Sequence, residues 1–199
     1  KRISPSTINR DLDVLQATYI MARDSWEHPV RPIDWGRHRQ PVNDRPEATL
    51  SPDEARRAIE ILRVRNLDLA DTFELTYYTG VRFNEAATLA CGRVNLDKRF
   101  MTVLAKRKAR QGYRERRVWL STAAVALLAE RIPADAKPID LVFRLINVRK
   151  TWEACRKEIG RPDVRWHDLR HSHGSLLGEL GDVMVVKRQL GHTNVQTSM

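Results

Sequence analysis

Two arginine-bearing boxes, far apart in the chain, carry residue types suited to gripping a phosphate. The first reads Thr79-Gly80-Val81-Arg82-Phe83-Asn84-Glu85, and the second Arg165-Trp166-His167-Asp168-Leu169-Arg170-His171-Ser172-His173. An arginine fork donates two parallel hydrogen bonds to a phosphate and stays charged at any relevant pH. On a helix, residues three apart share a face, so His167 and Arg170 are expected to point the same way, and Glu85 to support Arg82. Leu190-Gly191-His192 follows the second box. Lys106, Arg107, Lys108, Arg110, Arg114, Arg116 and Arg117 lie between the two. Cleaving a phosphodiester with a protein nucleophile requires that phosphoryl charge be stabilised, the leaving oxygen gain a proton and the attacking hydroxyl lose one. Arginine, lysine and histidine suit these tasks in turn.

Simpler readings exist for each box. Arg82 could form a surface ion pair with Glu85 and do nothing more. His167 and His171 have the i, i+4 spacing of zinc ligands, with His173 close by. Against a metal, the stretch has no HExxH glutamate and no nearby cysteine, and Arg170 would set a permanent positive charge beside any cation. No metal and no other cofactor is expected. A Gly-His pair at a helix end is ordinary capping on its own, and the basic run could be a solvated hairpin that touches DNA backbone nonspecifically.

The elements that must hold these residues are mostly helical. Ser4-Pro5-Ser6-Thr7 opens a first helix, with Ile8, Leu12, Leu15 and Tyr19 at helical spacing, ending before Pro29. Residues 29–48 carry Pro29, Pro32, Pro41 and Pro46 among charges and read as an extended linker. Ser51-Pro52-Asp53-Glu54 is a capping box that starts a compact body. Periodicity predicts helices over 52–64, 68–79, 83–90, 121–131, 146–159, 168–180 and 183–190. Short strands are expected at 94–96, 101–104 and 113–120, with a turn at 109–112. The fold class is therefore mainly α with a small antiparallel β-sheet.

Composition narrows the partners. The 199 residues hold 35 Lys and Arg against 25 Asp and Glu, a formal charge of +10, which points to a polyanion such as nucleic acid. Cys91 and Cys155 are too few and too far apart for a disulfide framework, so buried free thiols in a reducing cytoplasm are expected. No segment approaches the roughly 20 apolar residues of a membrane span, and none reads as a signal peptide. The chain opens at Lys1-Arg2 without an initiator Met, as an excised piece would.

In order and spacing, these boxes resemble those of the tyrosine recombinases, the phage-integrase family. Its members show a TGxRxxE box, a hairpin lysine, an HxLR box, an LGH box and then a nucleophilic tyrosine. The resemblance implies the DNA breaking-and-rejoining catalytic domain over 49–199, a last helix of a truncated core-binding domain at 1–28 and a linker at 29–48. It implies Arg82 and Arg170 as clamp arginines, Glu85 as support, His167 beside the nucleophile and His192 on a nonbridging oxygen. Lys106 would be the general acid, with Lys108 as the alternative; the family's lysine follows the first arginine at about the interval that favours Lys106. Trp119 stands where the family often has proline. Arg107, Arg110, Arg114 and Arg116 would contact DNA backbone. The nucleophile is expected just beyond Met199, so this stretch alone would bind without cleaving.

The implied activity is site-specific recombination through a 3′-phosphotyrosyl intermediate, without ATP or metal. The partners implied are double-stranded DNA and, in the full-length protein, three further copies in a tetramer; this stretch alone is expected to be a monomer. A recombinase-like DNA-binding protein without catalysis is the alternative. A type IB topoisomerase-like relaxing enzyme shares the chemistry.

Overall fold

A computed structural model describes residues 3–42, 48–106 and 112–179, with backbone alone at Ala105, Lys106 and Glu179. The chain divides into one unit over 1–46 and another over 47–199.

The first unit is built on helix α1 (Pro5–Asp24), capped by the Ser4 hydroxyl. The proline-rich segment after it runs back along the helix. Asn9 exchanges two hydrogen bonds with the Gln40 backbone, at 2.9 and 2.8 Å, and Arg39 pairs with Asp13 at 2.5 Å. The Tyr19 hydroxyl donates to the Arg31 carbonyl, and its ring meets Trp35 edge-on at 5.7 Å. Extended backbone thus gains its partners from α1 side chains, which periodicity along α1 did not announce.

The second unit begins as predicted. Ser51 and Glu54 satisfy each other's backbone N–H groups at the start of α2 (Pro52–Arg65). Helix α3 (Leu67–Thr79) follows, capped by Asn66. Its Leu69, Ala70, Phe73 and Tyr77 enter one apolar cluster with Ala58, Leu62, Trp152, Cys155 and Leu169. Its Leu75 enters a second cluster with Val81, Leu89, Met101, Val103, Val118, Leu128 and Phe143. Packed on opposite sides, α3 is buried nearly all round, with Asp71, Thr72, Thr76 and Thr79 buried among its apolar residues.

The three strands β1 (Val94–Asn95), β2 (Phe100–Lys106) and β3 (Tyr113–Trp119) form an antiparallel sheet in sequence order. Met101 pairs with Val118 and Val103 with Arg116, so this face lies toward the second cluster. Helices α5 (Thr122–Arg131), α6 (Val148–Glu158) and α7 (Asp168–Glu179) complete the unit.

Helices α4 and α6 are shorter than the sequence expectation. Helix α4 (Phe83–Ala87) stops short of residue 90 because the chain turns to pair with a distant segment. There, Cys91 N–H donates to the Asp140 carbonyl at 2.8 Å and Val142 N–H to the Leu89 carbonyl at 2.9 Å. Helix α6 starts at Val148 because Asn147 adopts a left-handed conformation at φ 55°. Helix α7 begins at residue 168 as expected, so His167 lies in the turn before it and the shared helix face expected for His167 and Arg170 does not form. Cys91 and Cys155 are both buried free thiols. The helix expected at 183–190 and the turn residues 109–111 lie outside the described residues.

Candidate functional site: a shared carboxylate beneath three arginines

The turn after α3 sets the first part of the site. Gly80 caps α3 in the left-handed conformation, at φ 65°, which costs glycine nothing and leaves the helix's last carbonyls in need of donors. Helix α7 supplies them. Arg170 Nη1 donates to the Gly80 carbonyl at 2.6 Å, and the His173 Nδ1–H donates to the Tyr77 carbonyl at 3.0 Å. Cationic and polar donors at a helix C-terminus also complement its dipole. Buried Ser172 ties α7 to the segment before α2 by accepting the Leu50 N–H at 2.9 Å.

Arg82 follows the turn at the N-cap of α4. Its backbone N–H donates to Glu85 Oε2 at 3.0 Å and its Nη1 to Oε1 at 2.9 Å. Arg116 reaches the same carboxylate from β3, with Nη2 at 2.8 Å from Oε2. The carboxylate is nearly sealed, with the Glu85 side chain 4% exposed, Arg116 12% and Arg82 47%. Arg170 is buried. Burial first, then the neighbouring positive charges of Arg82 and Arg116, pull the Arg170 guanidinium down to about 10. Three guanidiniums and one carboxylate leave two net positive charges in one place, with Arg82 turned to solvent.

His167 stands at the edge of this cluster. The Arg170 N–H donates to the His167 carbonyl at 3.1 Å, so the turn keeps the two residues together although His167 is not helical. Partial burial, then His171, Arg170 and Arg82, hold its pKa below the ordinary histidine value. A neutral imidazole is thereby favoured near pH 7. Its ring meets His171 edge-on at 5.2 Å. The two boxes are locked behind it, where Phe83 and Trp166 pack edge-to-face at 5.0 Å and Trp166 also meets Trp152 at 5.4 Å.

Of the residues singled out from sequence, Arg82, Glu85, Arg170 and His167 come together. Arg116 joins them and is tucked beneath the sheet instead of displayed on it. Arg114 is exposed on the same strand. The backbone of Lys106 ends β2 opposite Tyr113. Arg107, Lys108, Arg110 and His192 lie outside the described residues. From sequence His173 reads as a packing or solvent-facing residue, and it is buried. Its burial brings its pKa down to about 4, chiefly by desolvation. Arg116 could have been found by parity, since it lies two positions before Val118, which is plainly a core residue. Among the described residues, no group of three or more His, Cys, Asp and Glu side chains is placed to hold a metal ion.

A mainly helical unit with a three-stranded sheet, carrying ordered arginine boxes that meet in space, defines a DNA breaking-and-rejoining type of domain. The family model of the phage integrase family matches residues 48–199, and the chain belongs to that family. It is 31% identical over 163 residues to the tyrosine recombinase XerC of Xylella fastidiosa, covering 75% of this chain and 53% of that protein. It is 30% identical over 141 residues to XerD of Neisseria meningitidis serogroup B, covering 63% and 46%. The chain thus spans about half the length of these curated relatives. The fold is that of the Tn1549 transposon integrase solved with transposon right end DNA, at TM-score 0.74 and 16% identity over 98% of this chain and 74% of that one. The catalytic domain of bacteriophage HP1 integrase superposes at TM-score 0.60 with 22% identity, covering 76% and 84%.

Proposed function

We propose that the parent protein is a site-specific DNA recombinase of the integrase type, acting on double-stranded DNA in the cytoplasm. The observation that carries it is the convergence of Arg82 and Arg170 around Glu85, in a chain of the phage integrase family. The net double positive charge of the cluster matches a phosphodiester as it passes from one negative charge toward two in a five-coordinate transition state. Fixed donors aimed at developing charge are worth about 3–4 kcal/mol each by analogy with an oxyanion donor.

In this mechanism a tyrosine oxygen beyond Met199 attacks phosphorus. The new O–P bond forms as the bond to the 5′-oxygen breaks, leaving a 3′-phosphotyrosyl link and a free 5′-hydroxyl. His167, kept neutral, takes or shares the tyrosine proton. Lys106 gives a proton to the departing oxygen, with Lys108 the alternative. His192 adds a hydrogen bond to a nonbridging oxygen, and Arg107, Arg110 and Arg114 grip the backbone. The parent assembles as a tetramer on DNA, while these 199 residues alone form a monomer. Support for the DNA partner comes from the XerH recombinase, solved on a palindromic difH substrate as a post-cleavage complex, whose fold this chain shares at TM-score 0.63.

The test is a plasmid assay with the full-length protein and two duplex copies of its selected site. Joint molecules exchanging flanks are expected. Binding that falls steeply with salt but gives no exchange would replace this reading with a DNA-binding protein. Relaxation without exchange would replace it with a topoisomerase.

A further inference from the structure

Arg82 has two tasks that conflict. It neutralises Glu85, a carboxylate sealed from water, and it is the guanidinium turned outward to take a phosphate. If Arg82 were the sole counterion, each phosphate it engaged would strip a buried carboxylate of its partner, which is expensive in a low-dielectric site. Arg116 removes the conflict. It holds Glu85 Oε2 at 2.8 Å from beneath, on the β3 position paired with Val103, and its side chain is far less exposed than that of Arg82. Glu85 therefore keeps a cation whichever way Arg82 swings.

We propose that Arg116 is a positioning residue of the phosphate clamp: it stays on Glu85 as the resident counterion and so frees Arg82 to be shared with the scissile phosphate. This inference rests on the clamp reading of Arg82 and Arg170 given above. It takes Arg116 out of the set of residues that touch DNA backbone. Burial is the first influence on the Arg116 guanidinium and lowers its pKa, while Glu85 opposes that shift; the residue is a cation held in place by its carboxylate. The arrangement also predicts a particular dependence between two side chains. Removing Arg116 should harm phosphate capture only while Glu85 is charged. Removing both charges restores the double positive balance and leaves no orphan carboxylate.

The experiment titrates inorganic phosphate into the 199-residue chain labelled with nitrogen-15, following the side-chain Nε–Hε signals of Arg82 and Arg170. Neither DNA nor the nucleophile is needed. The parent chain should bind phosphate saturably through both signals. Arg116→Met should weaken it by roughly 10- to 100-fold, the equivalent of one charged hydrogen bond. Glu85→Gln added to Arg116→Met should recover most of that loss, and Arg116→Lys, which keeps a cation on Glu85, should stay close to the parent. A double variant as weak as Arg116→Met overturns the proposal, because Arg116 would then be a direct ligand. Parental affinity in Arg116→Met overturns it as well. Should Arg116→Met fail to fold, the double variant decides alone: near-parental affinity supports the proposal and a tenfold loss or more refutes it. No response in the parent chain would fail the clamp itself, whereas a response indifferent to Arg116 would fail this inference alone.

Discussion

Glu85→Gln tests the electrostatic design of the site without touching the apolar core. The substitution keeps the shape and one carbonyl acceptor for the Arg82 N–H, but removes the carboxylate charge that Arg82 and Arg116 share. At an effective dielectric constant of about 20, an ion pair at about 4 Å is worth roughly 4 kcal/mol before desolvation is counted. Deleting one partner of a buried pair costs about 3–5 kcal/mol. Water can serve half-exposed Arg82 but not Arg116, so the lower end applies, about 3 kcal/mol. For a unit of this size, 1 kcal/mol moves the midpoint by about 2–4 °C, which gives a fall of about 6–12 °C in Glu85→Gln. The assay is thermal unfolding by circular dichroism in chloride, then in phosphate. Phosphate should restore more of the midpoint in the variant than in the parent, because the site then carries one more net positive charge. A midpoint within about 2 °C of the parent would refute the claim that Glu85 holds the arginines together.

Two further predictions follow from the contact between α3 and α7. His173 donates from Nδ1 to the Tyr77 carbonyl and leaves Nε2 buried without a hydrogen-bond partner among the described residues, so the neutral ring is preferred and its pKa falls to about 4. Because the folded pKa lies below the ordinary value, stability is intact above about pH 6.5 and is lost as pH falls toward 4, by about 2 kcal/mol at pH 5. Urea unfolding at these pH values should show that loss, and His173→Asn should flatten it; an equal loss in the variant would contradict the assignment. His167, also lowered, adds to the fall in the same direction. Gly80→Ala places a side chain at φ 65° and disturbs the carbonyl that Arg170 holds. It should cost about 1–2 kcal/mol and reduce phosphate binding together with stability; full stability would show that the turn tolerates a Cβ.

Much of this was legible because its causes are local. Ser51 and Glu54 form their capping box within one turn, and the alternation of Met101 and Val103 marks the buried face of β2. The paired boxes were visible as residue types, and His167 and Arg170 stay together through a turn instead of a helix. What escaped depends on distant partners. Helix α4 ends early because its exit pairs with the segment at 140–142, which no local pattern encodes. Arg116 sits in the run Tyr113-Arg114-Glu115-Arg116-Arg117, whose charge suggests a solvated strand. Only a carboxylate waiting beneath the sheet makes an inward arginine tolerable. His173 was hidden for the same reason, since its acceptor is a carbonyl on another helix.

The most direct measurement is to trap the covalent intermediate. The full-length protein would be incubated with nicked duplexes selected from a random pool, then digested and sequenced by mass spectrometry. A peptide joined through tyrosine to a 3′-phosphate, formed by the parent and reduced by about 100-fold or more in Arg170→Ala, is the predicted result. Tight, salt-sensitive binding with no such peptide would contradict it and leave a DNA-binding protein that keeps the clamp without using it.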